Sequence, residues 1–216
     1  MSKILIPGQS NLGLVENPFT KSKSYAGNAV KFEQVNVVTA SVLRPRGLIL
    51  NIPKEEWTPK DYVNETVWAS ILHNNRVAAG GQITMHRILG STTLTSLGVF
   101  TAVACASTSF TTTNTDLSIG TITASVTTNE FTTIGCSRAA ADTVSATTGL
   151  ATTNAVASVN VVKTFTISGA GGTVYGAALF DQVVVAGSHL YVEALFGTSA
   201  VVISGDSLQV TWTVES

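Results

Sequence analysis

Charge is what this chain has least of. Only 12% of its 216 residues are Asp, Glu, Lys or Arg, about half the fraction usual in a globular protein. A chain so poor in charge is not a self-solvating disordered tail, and its 44% of hydrophobic residues suffice for a sizeable core. The 12 basic residues are scattered, with no basic-aromatic motif beside them, which disfavours nucleic acid as a partner. Cysteine is nearly absent. Cys105 and Cys136 form no C-x-x-C, so no disulfide scaffold is expected, and both read as buried, reduced thiols. Neither His73, His86 nor His189 belongs to an H-x-x-x-H or stands beside a cysteine, so no metal or other cofactor is expected. No apolar run approaches the roughly 18 residues needed to cross a bilayer, so no membrane partner is expected. The apolar part of residues 1–8 is too brief for a secretory signal, which predicts synthesis and assembly in a cytoplasm.

Catalytic patterns are missing as well. There is no G-x-S-x-G elbow, and in Gly187-Ser188-His189 the adjacent side chains would point to opposite sides of a strand. Carboxylates occur singly, so no glycosidase pair can be proposed. The run Gly169-Ala170-Gly171-Gly172 lies between strand patterns with no helix behind it, and so reads as a hairpin turn rather than a phosphate loop. The expectation is a non-enzymatic protein.

Threonine takes the place of charge: residues 91–216 contain 26 of them. Its branched Cβ suits a pleated surface and its hydroxyl tolerates water. A surface of threonine rather than lysine and glutamate lacks one defence against sticking to neighbours, which favours permanent contacts with other subunits. Residues 159–214 form short runs of β-branched and aromatic residues cut by glycine-containing turns, the pattern of successive antiparallel strands. In the last run Leu208, Val210, Trp212 and Val214 alternate with Gln209, Thr211 and Thr213, one buried face and one wet face.

Earlier strand runs are expected at 30–38, 47–52, 82–89, 94–106, 116–126 and 130–141, with Trp57 capping the core and a long surface loop at 142–154. Lys163, the only lysine after residue 91, reads as an outward-facing residue on an edge strand. One amphipathic helix is expected at about 59–74. Thr58 would cap it, Pro59 would take its first position, and Val63, Val67, Trp68, Ile71 and Leu72 would form its apolar stripe. The fold expected is therefore all-β: an antiparallel β-sandwich of jelly-roll type over residues 31–216, with that one helix. Residues 1–30 carry turn formers and little core, and read as an extended N-terminal arm that a partner would order. Residues 1–90 hold 10 basic and 6 acidic side chains against 2 and 7 in residues 91–216, so the front of the chain is the basic part.

Several stretches, in order, resemble a known group. Ile134-Gly135-Cys136-Ser137-Arg138-Ala139 is similar to its small-residue-Arg-Ala strand, and Thr153-Asn154-Ala155-Val156 to its turn into a strand. Thr164-Phe165-Thr166, the run from Gly172-Thr173-Val174 to Ala178-Leu179-Phe180-Asp181, and Leu190-Tyr191 with Glu193-Ala194-Leu195 follow in the same sequence. Ser204-Gly205-Asp206-Ser207-Leu208 is similar to the group's Gly-Asp-Thr-Leu strand ending, and residues 64–72 look like the helix that often precedes this region. The group is a loose family of tailed-bacteriophage virion proteins of tail-fibre, head-fibre or decoration type. The resemblance spans about residues 115–214 and implies a β-sandwich subunit displayed on a phage particle, with no catalytic residues.

Residue reading and resemblance together predict a virion structural protein of capsid, collar or tail. Its partners would be other virion proteins and further copies of itself, as a homo-oligomer. Phe19 and Tyr25 are the expected arm anchors, and Arg44 and Arg46 the expected docking charges. The alternative is a carbohydrate-binding or receptor-binding sandwich, which would need Tyr175, Tyr191 and Trp212 lined up on an exposed face.

Overall fold

The computed structural model describes residues 14–16, 23–25, 35–74, 100–148 and 157–215. The chain divides into two units, residues 1–33 and 34–216. In the first, Leu14–Glu16 (β1) pairs antiparallel with Lys23–Tyr25 (β2), Leu14 lying opposite Tyr25. All that follows concerns the second unit.

Val35–Pro45 (β3), Asn64–Asn74 (β4), Thr143–Thr148 (β7), Ala157–Thr166 (β8) and Ser207–Glu215 (β11) make a five-stranded sheet in the order β4-β3-β11-β8-β7. Ala102–Ala106 (β5), Ala139–Ala140 (β6), Gly172–Phe180 (β9) and Leu190–Val202 (β10) make a four-stranded sheet in the order β10-β9-β5-β6. Every pairing is antiparallel. The all-β sandwich expected from the sequence is the fold observed.

The alternation in β11 is borne out. Leu208, Val210 and Trp212 are buried while Gln209, Thr211 and Thr213 stay partly exposed. In β3, Val38, Ala40 and Val42 point the same way. They meet Val103, Val174, Leu179, Val192 and Val202 of the other sheet in one core, and aligned inner faces of this kind define a sandwich. The four-stranded sheet is covered on its second face too. Ala102, Ala104 and Ala106 of β5, with Ala178 and Phe180 of β9, pack there beneath Phe110 and Ile119. This explains why β5 is buried at every position and shows no period of two. The cover comes close because small residues allow it: a Cβ on Gly176 would lie 2.8 Å from the Phe110 ring.

Several sequence expectations are corrected. Residues 64–74 form strand β4, paired with β3 from Asn36–Asn74 to Pro45–Asn64, and not the helix expected at 59–74. The apolar spacing that suggested a helical stripe arises because β4, an edge strand among the described residues, carries apolar side chains on both faces. Trp68 and Leu72 turn toward the core while Val67 and Ile71 are exposed. A β-bulge opposite Val42 and Leu43 shifts the period at Val67. The residues taken for a helix cap instead close a turn, with the Asp61 carboxylate accepting from the Thr58 N–H at 2.8 Å and its hydroxyl at 2.6 Å.

The one α-helix among the described residues is a single turn, Arg46–Ile49 (α1), within what was expected as a strand at 47–52. Trp57 lies against Gly47, and its indole N–H donates to the Ile52 carbonyl at 2.9 Å. Residues 116–126 form no strand, and 130–141 contribute only the two-residue β6. Their β-branched content favours strands, but their backbone groups are satisfied locally. Asn129 donates to the Ile119 carbonyl at 2.7 Å and the Thr113 N–H donates to Asp116 at 2.8 Å. Conversely, part of the loop expected at 142–154 is strand β7. The expected run at 82–89 lies outside the described residues, and of that at 94–106 the strand observed is β5.

Candidate functional site

Four residues were expected to dock a partner. Phe19 lies outside the described residues, and Tyr25 ends β2. Arg44, on β3, is engaged within the fold. Its Nε and Nη2 donate to the two carboxylate oxygens of Asp206 at 2.8 Å each, and that carboxylate is fully buried in the turn between β10 and β11. The hydrogen bonds that Arg44 donates to Asp206 push its pKa further up and hold it charged. Asp206 also accepts from the Ile203 N–H at 2.9 Å, so this pair pins the β10–β11 turn to β3. Arg46, at the start of α1, is half-exposed and 3.8 Å from the equally exposed Glu65. The fold therefore does not bring the two arginines together as one patch: one is consumed internally and the other faces solvent.

Lys163 is likewise paired rather than outward-facing. Its register opposite Val210 puts it on the core side of β8, where β7 has ended, and its ammonium reaches Asp142 at 2.6 Å. That contact and the Thr164 N–H hold the Asp142 carboxyl below the usual carboxylate range.

Two buried polar groups fasten the cover over the four-stranded sheet. Arg138 forms a two-pronged ion pair with Glu130, its Nη1 donates to the Ser188 hydroxyl at 2.8 Å, and its guanidinium lies 3.6 Å from the Phe180 ring centre. The second group is Asp116 with Glu193 of β10. Both are buried, and Glu193 accepts from the Gly120 N–H at 2.9 Å. Burial, reinforced by the hydrogen bond and charge of Asp116, pushes the Glu193 carboxyl up to about 8, so the pair holds a proton at neutral pH. Sequence reasoning missed both groups. The one local signal was an isolated carboxylate inside the apolar run 190–195, which requires a partner but does not say which.

Asp181 and His189 form a further pair at the β9–β10 connection. Asp181 accepts from the His189 N–H at 2.8 Å and lies 2.7 Å from the ring Nδ1, an arrangement that orients an imidazole. Ser188 points the other way, as its neighbouring position predicts. It is buried and donates to the Val185 carbonyl at 2.8 Å. Among the described residues no three His, Cys, Asp or Glu side chains are grouped to hold a metal ion. Cys105 and Cys136 are free and buried, and burial together with the Cys136 thiol pushes Cys105 well above the ordinary thiol range. The aromatic platform needed for sugar binding is not formed by the residues expected to supply it. Trp212 and Tyr191 are buried, and Tyr191 stacks on Phe100 with ring centres 4.5 Å apart.

The surface left over is the outer face of the five-stranded sheet. By register, Ile71, Thr39, Thr211, Val162 and Thr143 form one cross-strand row. Ala69, Ser41, Gln209 and Thr164 form the row on one side, and Val37, Thr213, Asn160 and Ser145 the row on the other. None of these positions carries a charged residue. His73 takes the β4 position of the last of these rows, opposite Val37, and Glu215 lies one row further along β11, two strands away. Side-chain bonds such as Thr213 to Asn160 at 2.7 Å and Gln209 to Thr164 at 3.4 Å run across the strands.

No protein-family model, curated protein or solved structure matches this chain.

Proposed function

We propose that this chain is a non-enzymatic virion structural subunit, of capsid-decoration, collar or tail type, which docks through its N-terminal arm and oligomerises through its sandwich. The observation that carries the reading is a charge-poor sandwich that leaves large aliphatic side chains in water: Ile71 is 68% exposed, Ile122 69%, Val184 66% and Val201 61%. Scattered exposed aliphatics are ordinary on a monomer. On a surface with so few charges they suit a subunit whose surface is covered in an assembly. The ordered motif resemblance to phage virion proteins supports the same reading, and residues 1–33 as a unit separate from the sandwich suit a docking arm.

The test is density banding of phage particles mixed with labelled protein, either the full chain or residues 34–216. That shorter chain keeps all strands of both sheets. The full chain should band with the particles and the shorter one should remain free while still folded. A full chain that never bands with particles overturns the virion reading.

A further inference from the structure

We infer that the outer face of the five-stranded sheet is the surface on which a second copy of this chain packs, face to face about a two-fold axis. The inference rests on the assembly reading and names the surface involved.

The first reason is charge. A partner bearing a charged patch gains nothing from rows built of Thr39, Thr211, Val162 and Ile71, and would lose hydration on meeting them. A neutral face with alternating methyl and hydroxyl groups is best matched by a neutral face of the same kind. The surface that always supplies one, with identical strand spacing, is the same face of another copy. An isologous contact of this type needs each row to tolerate itself, and uncharged rows do so without like-charge repulsion.

The second reason is area. Five strands about 4.8 Å apart and about 20 Å long give a face of roughly 500 Å², so two copies bury about 1,000 Å² or more, the lower bound for a specific interface. Ile71, with Val37 and Val162, provides the apolar anchors. The cross-strand bonds of Gln209 and Thr213 fix polar side chains in advance, which lowers the entropy lost on contact.

The third reason is that the opposite face of the same sheet supplies the core, and the outer face of the four-stranded sheet is covered over β5 and the adjoining parts of β9 and β10, leaving only its far end at Val201 exposed. Among the described residues no such cover lies over the outer face of the five-stranded sheet.

The test is sedimentation velocity of the full chain over a wide concentration range, with Ile71→Lys, Thr211→Lys and, as a control on the other sheet, Ala140→Lys at an exposed position of β6. Wild type and the control should associate equally. Each face variant places two unpaired ammonium groups in the contact and should weaken association about a hundredfold or more, with monomer melting unchanged. Ile71 is exposed, so its variant reads out even if Thr211→Lys impairs folding. Association that survives both face variants overturns this inference and leaves the assembly reading standing. Association that is lost in residues 34–216 but present in the full chain assigns the contact to the arm and also overturns it. A wild-type chain that stays monomeric throughout removes both the face and the oligomerising part of the proposed function.

Discussion

The buried carboxyl pair makes the stability of this protein depend on pH in an unusual direction. Glu193 titrates near pH 8 in the folded chain but near its ordinary value of 4.5 once unfolded. Between those values the folded state holds a proton that the unfolded state has released. Its contribution to stability is therefore full below about pH 4.5, declines as pH rises, and is lost above about pH 8. Each unit of difference is worth about 1.4 kcal/mol, so the window has a ceiling near 5 kcal/mol, and solvent reaching the pair reduces this to about 2–3 kcal/mol. For a domain of this size that is a fall in Tm of roughly 5–10 °C between pH 5 and pH 8. Glu193→Gln keeps the acceptor for the Gly120 N–H and removes the titration. The assay is urea unfolding of wild type and Glu193→Gln at intervals from pH 5 to pH 8.5. Taking the difference between them cancels histidines and other shared groups. The variant should match or trail wild type at pH 5 and exceed it by about 2 kcal/mol at pH 8. Asp116→Asn should flatten the profile as well, since its charge and hydrogen bond help to raise Glu193. Parallel profiles for wild type and Glu193→Gln across the whole range would show that the pair does not hold the proton.

Two further outcomes follow from the buried pairings. Arg44→Ala leaves the fully buried Asp206 carboxylate without its two-pronged donor, and should cost about 2–4 kcal/mol in urea unfolding. Gly135→Ala should cost about 2 kcal/mol or more in the same assay, because Gly135 sits at φ +82° and the added methyl would run into the Thr166 carbonyl oxygen. A neutral Gly135→Ala would show that this turn relaxes freely.

The parts of the fold legible in the sequence are those with one dry face and one wet face. The alternation of Leu208, Val210 and Trp212 with Gln209, Thr211 and Thr213 announces β11 and its orientation, because a period of two appears whenever a strand is covered on one side. The same logic misleads at β4. An edge strand with Trp68 and Leu72 inside and Val67 and Ile71 outside presents a spacing that a helix would also produce. At β5 cover on both faces erases the period, and the strand was legible instead as an apolar run within 94–106, whereas in residues 116–126 threonine-rich composition accompanies turns.

The candidate surfaces divide in the same way. Low charge and abundant threonine are properties of composition, present before any folding, and they set the character of the surface. Which groups meet is a property of tertiary packing. Arg44 finds Asp206 across 162 positions, Gly120 finds Glu193 across 73, and Arg138 finds Ser188 across 50. No local pattern encodes such pairings, since each requires two strands or turns to be placed first. For the same reason, threonines scattered along β3, β7, β8 and β11 come to share one face only when strand register sets them in rows.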